Sequence, residues 1–109
     1  MVTRITRGVL NRNSEGRVFE ALREASKAAP RPPGLLGMSI SRQVEGTTTV
    51  LVAVSIWEDI DAMAAALGPR WREPSWLPAF ADSIADSSVE ILETVVTSYE
   101  HLVEAAAPA

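Results

Sequence analysis

Apolar and polar positions along this chain alternate in two rhythms, and the change between them is sharpest in the stretch from Thr47 to Pro69. Val50, Val52, Val54 and Ile56 fall on one side of an extended segment. Leu51, Ala53, Ser55 and Trp57 fall on the other. Such a strand is apolar on both sides and needs cover on both. The rhythm then turns helical: Ile60, Met63, Ala64 and Leu67 form one stripe, Asp59 stands at the N-cap position, and Gly68-Pro69 supplies the stop.

The flanking segments follow the same logic. Residues 2–10 predict a first strand, with Val2, Arg4, Thr6, Gly8 and Leu10 on one face and Thr3, Ile5, Arg7 and Val9 on the other. Asn11 to Ser14 forms a turn in which Asn13 or Ser14 can cap a helix carrying Val18, Phe19, Leu22, Ala25 and Ala29. Pro30-Arg-Pro-Pro-Gly34 ends that helix, residues 35–44 predict a second strand, and Glu45-Gly46 gives a tight turn into the third. Residues 68–75 read as a loop. Trp76, Leu77, Phe80 and Ile84 suggest a short helix or two turns, Asp86-Ser-Ser88 a turn, residues 89–97 a final strand, and residues 99–107 a terminal helix.

The resulting order, β-α-β-β-α-(short helix)-β, predicts an α+β, ferredoxin-like split βαβ fold: a four-stranded antiparallel sheet with helices on one face. One domain spans 1–109, with a core of 2–98 and a tail of 99–109. The open face of the sheet is expected to expose the apolar side of strands two, three and four. Covering it takes a second copy, so a homodimer joined through its sheet faces is expected, burying about 1,500 Å² as stable dimers do.

Composition narrows the functional classes. A chain of 109 residues with 47% hydrophobic and 22% charged residues is globular in type. Its net charge of −4 and scattered basic residues argue against nucleic-acid binding. The absence of cysteine removes disulfides, thiolate nucleophiles and sulfur-ligated metals, and a single histidine removes a histidine metal cluster. With no membrane span and no apolar leader at the amino terminus, a cytoplasmic protein is expected.

Gly34 to Arg42 and Val54 to Met63, the latter with a tryptophan and an acidic residue opening the second helix, resemble the dimeric alpha/beta-barrel superfamily and within it the antibiotic-biosynthesis-monooxygenase-like proteins. The likeness covers most of residues 2–98. It implies a dimeric barrel with an apolar cleft in each subunit. Activities in this family include cofactor-independent oxidation of aromatic, polyketide-like or quinol substrates, and haem degradation; other members are isomerases or dehydratases. Trp57 matches the strand-end tryptophan of the family. The asparagine that some active relatives carry four residues earlier is Ala53 here. The tryptophan and histidine of the haem-degrading branch are also missing: the helix position falls within Ala64 to Ala66, no histidine lies between 58 and 100, and Asn11 comes too late on the first strand. The resemblance thus implies an oxygenase that needs no cofactor, with a non-catalytic small-molecule-binding or structural dimer as the competing reading.

Candidate substrate contacts are Trp57, Trp71, Trp76, Phe80, Tyr99, Glu93 and Met38. Trp57 either caps the core or walls a pocket. Trp71 and Trp76 belong to a proline-punctuated excursion of the kind that covers ligand clefts. Glu93 shares a strand face with Val89, Ile91 and Val95. It either lines a wet cavity or pairs with Arg7 or Arg42. Tyr99 offers a hydroxyl to a phenolic substrate, and His101 reads as a surface residue. Glu58, Asp59 and Asp61 are explained by the helix dipole. No serine has a histidine–aspartate pattern beside it, and no glycine-rich phosphate loop follows a strand.

Overall fold

The first strand, β1 (Val2–Leu10), keeps strict alternation: Val2, Arg4, Thr6, Gly8 and Leu10 are buried, while Thr3, Ile5, Arg7 and Val9 are half-buried. The computed structural model describes residues 1–28 and 30–95. After β1 come α1 (Glu15–Ala28), β2 (Leu35–Glu45), β3 (Thr48–Trp57), α2 (Ile60–Leu67), a 3-10 turn at Ala81–Ser83, and β4 (Ile84–Glu93). The strands form one antiparallel sheet in the order β2-β3-β1-β4, the ferredoxin-like arrangement.

Both helices lie on the face of β1 that carries Val2 and Leu10. Two apolar clusters join them to it. Leu10, Val18, Leu51 and Phe80 form one, with Phe19, Leu22, Trp76 and Ile84 against it. Val2, Trp57 and Met63 form the other, with Leu35, Ile60, Ala62, Trp71 and Ile91 around it. Full burial of side chains such as Leu51, Met63 and Phe80 stabilises the fold by about 1.5–3 kcal/mol each.

Local chemistry sets the ends of the elements. Asp59 caps α2 by accepting from the amide of Ala62 at 2.7 Å, and Gly68 closes the helix with its own amide on the Ala64 carbonyl. Glu45 pairs with Thr48, leaving Gly46 and Thr47 as a two-residue hairpin loop; the positive φ of Gly46 alone fits a type II′ turn. At α1 neither expected cap acts through its side chain. Ser14 turns its hydroxyl back to donate to the Asn11 carbonyl, and Asn13 takes a left-handed conformation at φ 62°.

Two expectations need correction. The final strand starts at Ile84 rather than at 89, because Ser87 and Ser88 pair with Gly8 and Arg7 instead of turning. More important, the register of β2 shifts between Leu35 and Gly37. A slip of one residue turns every later side chain over. Ser39, Ser41 and Gln43 therefore join the open face, opposite Val54, Val52 and Val50, while Met38, Ile40 and Val44 point to the helix side. In β4 the open face likewise receives Ser88, Glu90 and Leu92, not Val89 and Ile91. The apolar content of the open face thus comes from Ile5 and Val9 of β1, from Val50, Val52, Val54 and Ile56 of β3, and from Leu92 of β4. The proposed terminal helix, Tyr99 and His101 lie outside the described residues.

Candidate functional site

On the helix side, cross-strand register sorts the sheet into rows. Leu35, Trp57, Val2 and Glu93 form one row, inside or beside the Trp57 cluster. Arg42, Leu51, Gly8 and Ser87 form another, under the Phe80 cluster. Between them lie two rows of different character: Met38, Ser55, Arg4 and Ile91, then Ile40, Ala53, Thr6 and Val89. Ala53 and Ser55 are at the middle of a central strand, on the face that the helices cover, yet they are only half-buried. We read this incompletely covered strip between the two clusters as a trough. Its outer lip is Met38, 62% exposed, and Ile40, 38% exposed.

Its inner wall is charged. Arg4 is only 6% exposed. It donates from Nε to the Trp71 carbonyl at 3.1 Å, from Nη1 to Thr6 Oγ1 at 2.9 Å, and from Nη2 to the Glu73 carbonyl at 2.6 Å. Among the described residues no carboxylate forms an ion pair with it. Burial pushes its pKa below the ordinary arginine value. The guanidinium is nonetheless charged at neutral pH, since arginine is not deprotonated in proteins. Beside it, Ser55 Oγ accepts from Trp57 Nε1 at 2.9 Å.

The candidates named from sequence fall in several places. Trp57, 3% exposed, and Phe80, 1% exposed, are core residues of the two clusters. Trp71 packs on the Trp57 cluster, and Arg72 lies 4.5 Å above its ring. Trp76 leans on the other cluster and donates to Ser87 Oγ at 2.9 Å. Met38 borders the trough. Glu93 is exposed and pairs with neither arginine expected for it: Arg7 holds Glu90 at 2.5 Å, and Arg42 reaches Glu15 at 3.4 Å. Register and strand order explain this: Arg7 and Glu90 share the open face while Glu93 lies on the other, and Arg42 belongs to the opposite edge strand. Glu93 instead borders a recess of about 400 Å³ with Met1, Glu58, Asp59 and Asp61. A second recess, of about 340 Å³, lies around Arg7, Gln43, Glu45 and Asp86. Neither touches Trp57, Arg4, Thr6, Ala53 or Ser55.

Arg4, Thr6, Ala53 and Ser55 escaped the sequence reading as site residues. The signal for Arg4 was present: alternation sets it on the same strand face as Val2 and Leu10, an inward charge with no acidic neighbour in the strand.

Comparison with known proteins bears on the fold. No family model matches the sequence, and no curated protein matches it. Solved structures do. The heme-degrader MhuD from Mycobacterium tuberculosis, solved with two hemes in its active site, is 23% identical over 90% of this chain and 99% of its own, with a TM-score of 0.64. A Nitrosomonas europaea protein assigned as an antibiotic biosynthesis monooxygenase is 19% identical over 88% and 100%, with a TM-score of 0.66. SnoaB, a cofactor-independent oxygenase from Streptomyces nogalater, is 21% identical over 88% and 94%, with a TM-score of 0.56. With its element order and sheet topology, the chain has the ferredoxin-like fold, and these neighbours share it.

Proposed function

We propose that this protein is a homodimeric, cofactor-independent oxygenase that takes a flat, electron-rich aromatic into the helix-side trough of each subunit. The observation that carries this reading is the half-exposure of Ala53 and Ser55 between two filled clusters. A central strand leaves such residues uncovered only where the layer above it parts, and ligand clefts are lined mainly by apolar side chains with a few polar groups. Trp57, by contrast, acts as the packed end wall of the trough.

The chemistry suits a chain without a cofactor. An anthrone or quinol that loses a proton becomes an anion able to reduce oxygen directly. For an anthrone, the carbanion gives one electron to O2, the two radicals join in a new C–O bond, and the protonated peroxide sheds water to leave a ketone. The balance is anthrone plus O2 to anthraquinone plus H2O. The protein's part is to hold the ring, exclude water from one face and favour the anion. No described side chain is assigned as the base.

Haem degradation fits the described donor set poorly. Residues 1–95 contain no histidine, cysteine or tyrosine to ligate an iron. The dimer reading is supported by the open face, where Ile5, Val9, Val50, Val52, Val54 and Ile56 form an apolar field; stable interfaces bury roughly 1,200–2,000 Å².

Oxygen uptake on a panel of anthrones and quinols tests the reading. Turnover above the protein-free rate, with anthraquinone as product, is the expected result. Quenching of tryptophan fluorescence without oxygen uptake would instead identify a binding module.

A further inference from the structure

We infer that Arg4, with the hydroxyls of Thr6 and Ser55, forms an anion-binding site at the inner wall of the trough, so that the ligand is a flat aromatic carrying an ionised oxygen. The inference rests on the trough reading above and deepens it. Arg4 is buried on a strand interior, and its three hydrogen bonds all go to neutral acceptors: two loop carbonyls and one hydroxyl. Fastening the segment 71–73 to the sheet needs donors but no charge, and a glutamine or tryptophan would serve. A full charge with no carboxylate beside it among the described residues is costly to keep there.

Among the described residues its donors are also not used up. Guanidinium has five N–H groups, and three are engaged. Thr6, 1% exposed, accepts from Arg4, and Ser55 accepts from Trp57; among the described residues neither hydroxyl donates its proton to another side chain. Arg4 is the register partner of Ser55, and Thr6 that of Ala53, so all three lie in the two middle rows. Unspent donors and an uncompensated positive charge together select an oxygen anion such as a phenolate or enolate, because charge-assisted hydrogen bonds are the strong ones. The same charge lowers the acidity threshold of a bound phenol or enol.

The probes are 2-hydroxy-1,4-naphthoquinone, whose enolic oxygen is ionised at neutral pH, and its neutral methyl ether, measured by isothermal titration calorimetry on the full chain. The wild type is expected to bind the anion at least about tenfold tighter than the ether. Arg4→Gln should lose that preference while keeping its affinity for the ether, and Arg4→Lys should keep part of it. Should Arg4→Gln fail to fold, the wild type alone decides. Its affinity for the hydroxyquinone must fall as pH drops through that compound's own ionisation, while affinity for the ether stays flat. Equal affinities in the wild type, a preference that survives Arg4→Gln, or binding of neither probe would overturn the site. Anion selectivity without oxygen uptake on anthrones would remove the oxygenase reading and leave the site standing; uptake without selectivity would do the reverse.

Discussion

The indole of Trp76 occupies the space that a side chain on Gly8 would need. A Cβ at position 8 would lie 2.7 Å from Trp76 Cζ2 and 2.6 Å from Ile84 Cγ2, closer than packed carbons come. The glycine lets the excursion after α2 lie flat on β1 and brings Trp76 Nε1 to Ser87. Gly8→Ala is therefore expected to cost about 1–3 kcal/mol by overpacking. Urea unfolding followed by tryptophan fluorescence measures it, and a midpoint equal to wild type would refute the contact.

Gly34 meets α2 in a similar way but with a second demand. Its φ is 83°, and an added Cβ would lie 2.5 Å from Ala62 Cβ. The left-handed backbone adds about 1–2 kcal/mol for a residue with a side chain. Ala62→Gly should relieve the clash but not the backbone cost. In a double-mutant cycle, Ala62→Gly is expected to destabilise the wild type by about 1 kcal/mol and the Gly34→Ala background by clearly less.

Asp59 controls the start of α2 through one hydrogen bond to the Ala62 amide. Asp59→Ala should lower stability by about 0.5–2 kcal/mol, and Asp59→Asn, which keeps an acceptor, by less. Since Met63 hangs from this helix into the Trp57 cluster, near-ultraviolet circular dichroism should report any loosening around the indole.

Assembly is open to a direct test. Val54 lies in the middle of the open face, and Val54→Asp should turn a dimer into a monomer in sedimentation velocity runs at micromolar protein. A wild-type subunit that stays single and folded would end the barrel proposal.

The Arg7–Glu90 pair lies on that same face, 2.5 Å apart, with side chains 41% and 52% exposed. In a lone subunit such a pair contributes about 0.2–1 kcal/mol. Covered by a twin, it loses solvent screening and its coupling should grow. A cycle of Arg7→Met and Glu90→Gln, run in the wild type and in Val54→Asp, is expected to show weak coupling in the monomer and stronger coupling in the dimer.

The fold was legible because its signals were local. Asp59 and Gly68 bracket α2, Gly46 turns the hairpin, and the double-sided β3 demanded a sheet covered on both faces. What escaped depended on register. Leu36 adds one residue to an edge strand, and the composition of β2 reads the same with or without it, although a glycine inside a strand, Gly37, is a known mark of such an irregularity. The site was harder still. Tryptophans drew attention as large aromatic groups, yet Trp57 and Phe80 were needed to fill the interior. The trough is made instead by what is small, Ala53 and Ser55, and by an arginine whose isolation from carboxylates becomes visible only when the loop carbonyls fold over it.

The irregularity at Leu36 lets one edge strand turn two residues three positions apart, Leu35 and Met38, to the same side of the sheet. Were Leu36 deleted, Gly37 to Glu45 would keep their partners on β3, because the hairpin at Gly46 sets that register from the far end. The turn, not the bulge, thus decides whether the thioether of this edge strand greets a guest molecule or a sister subunit.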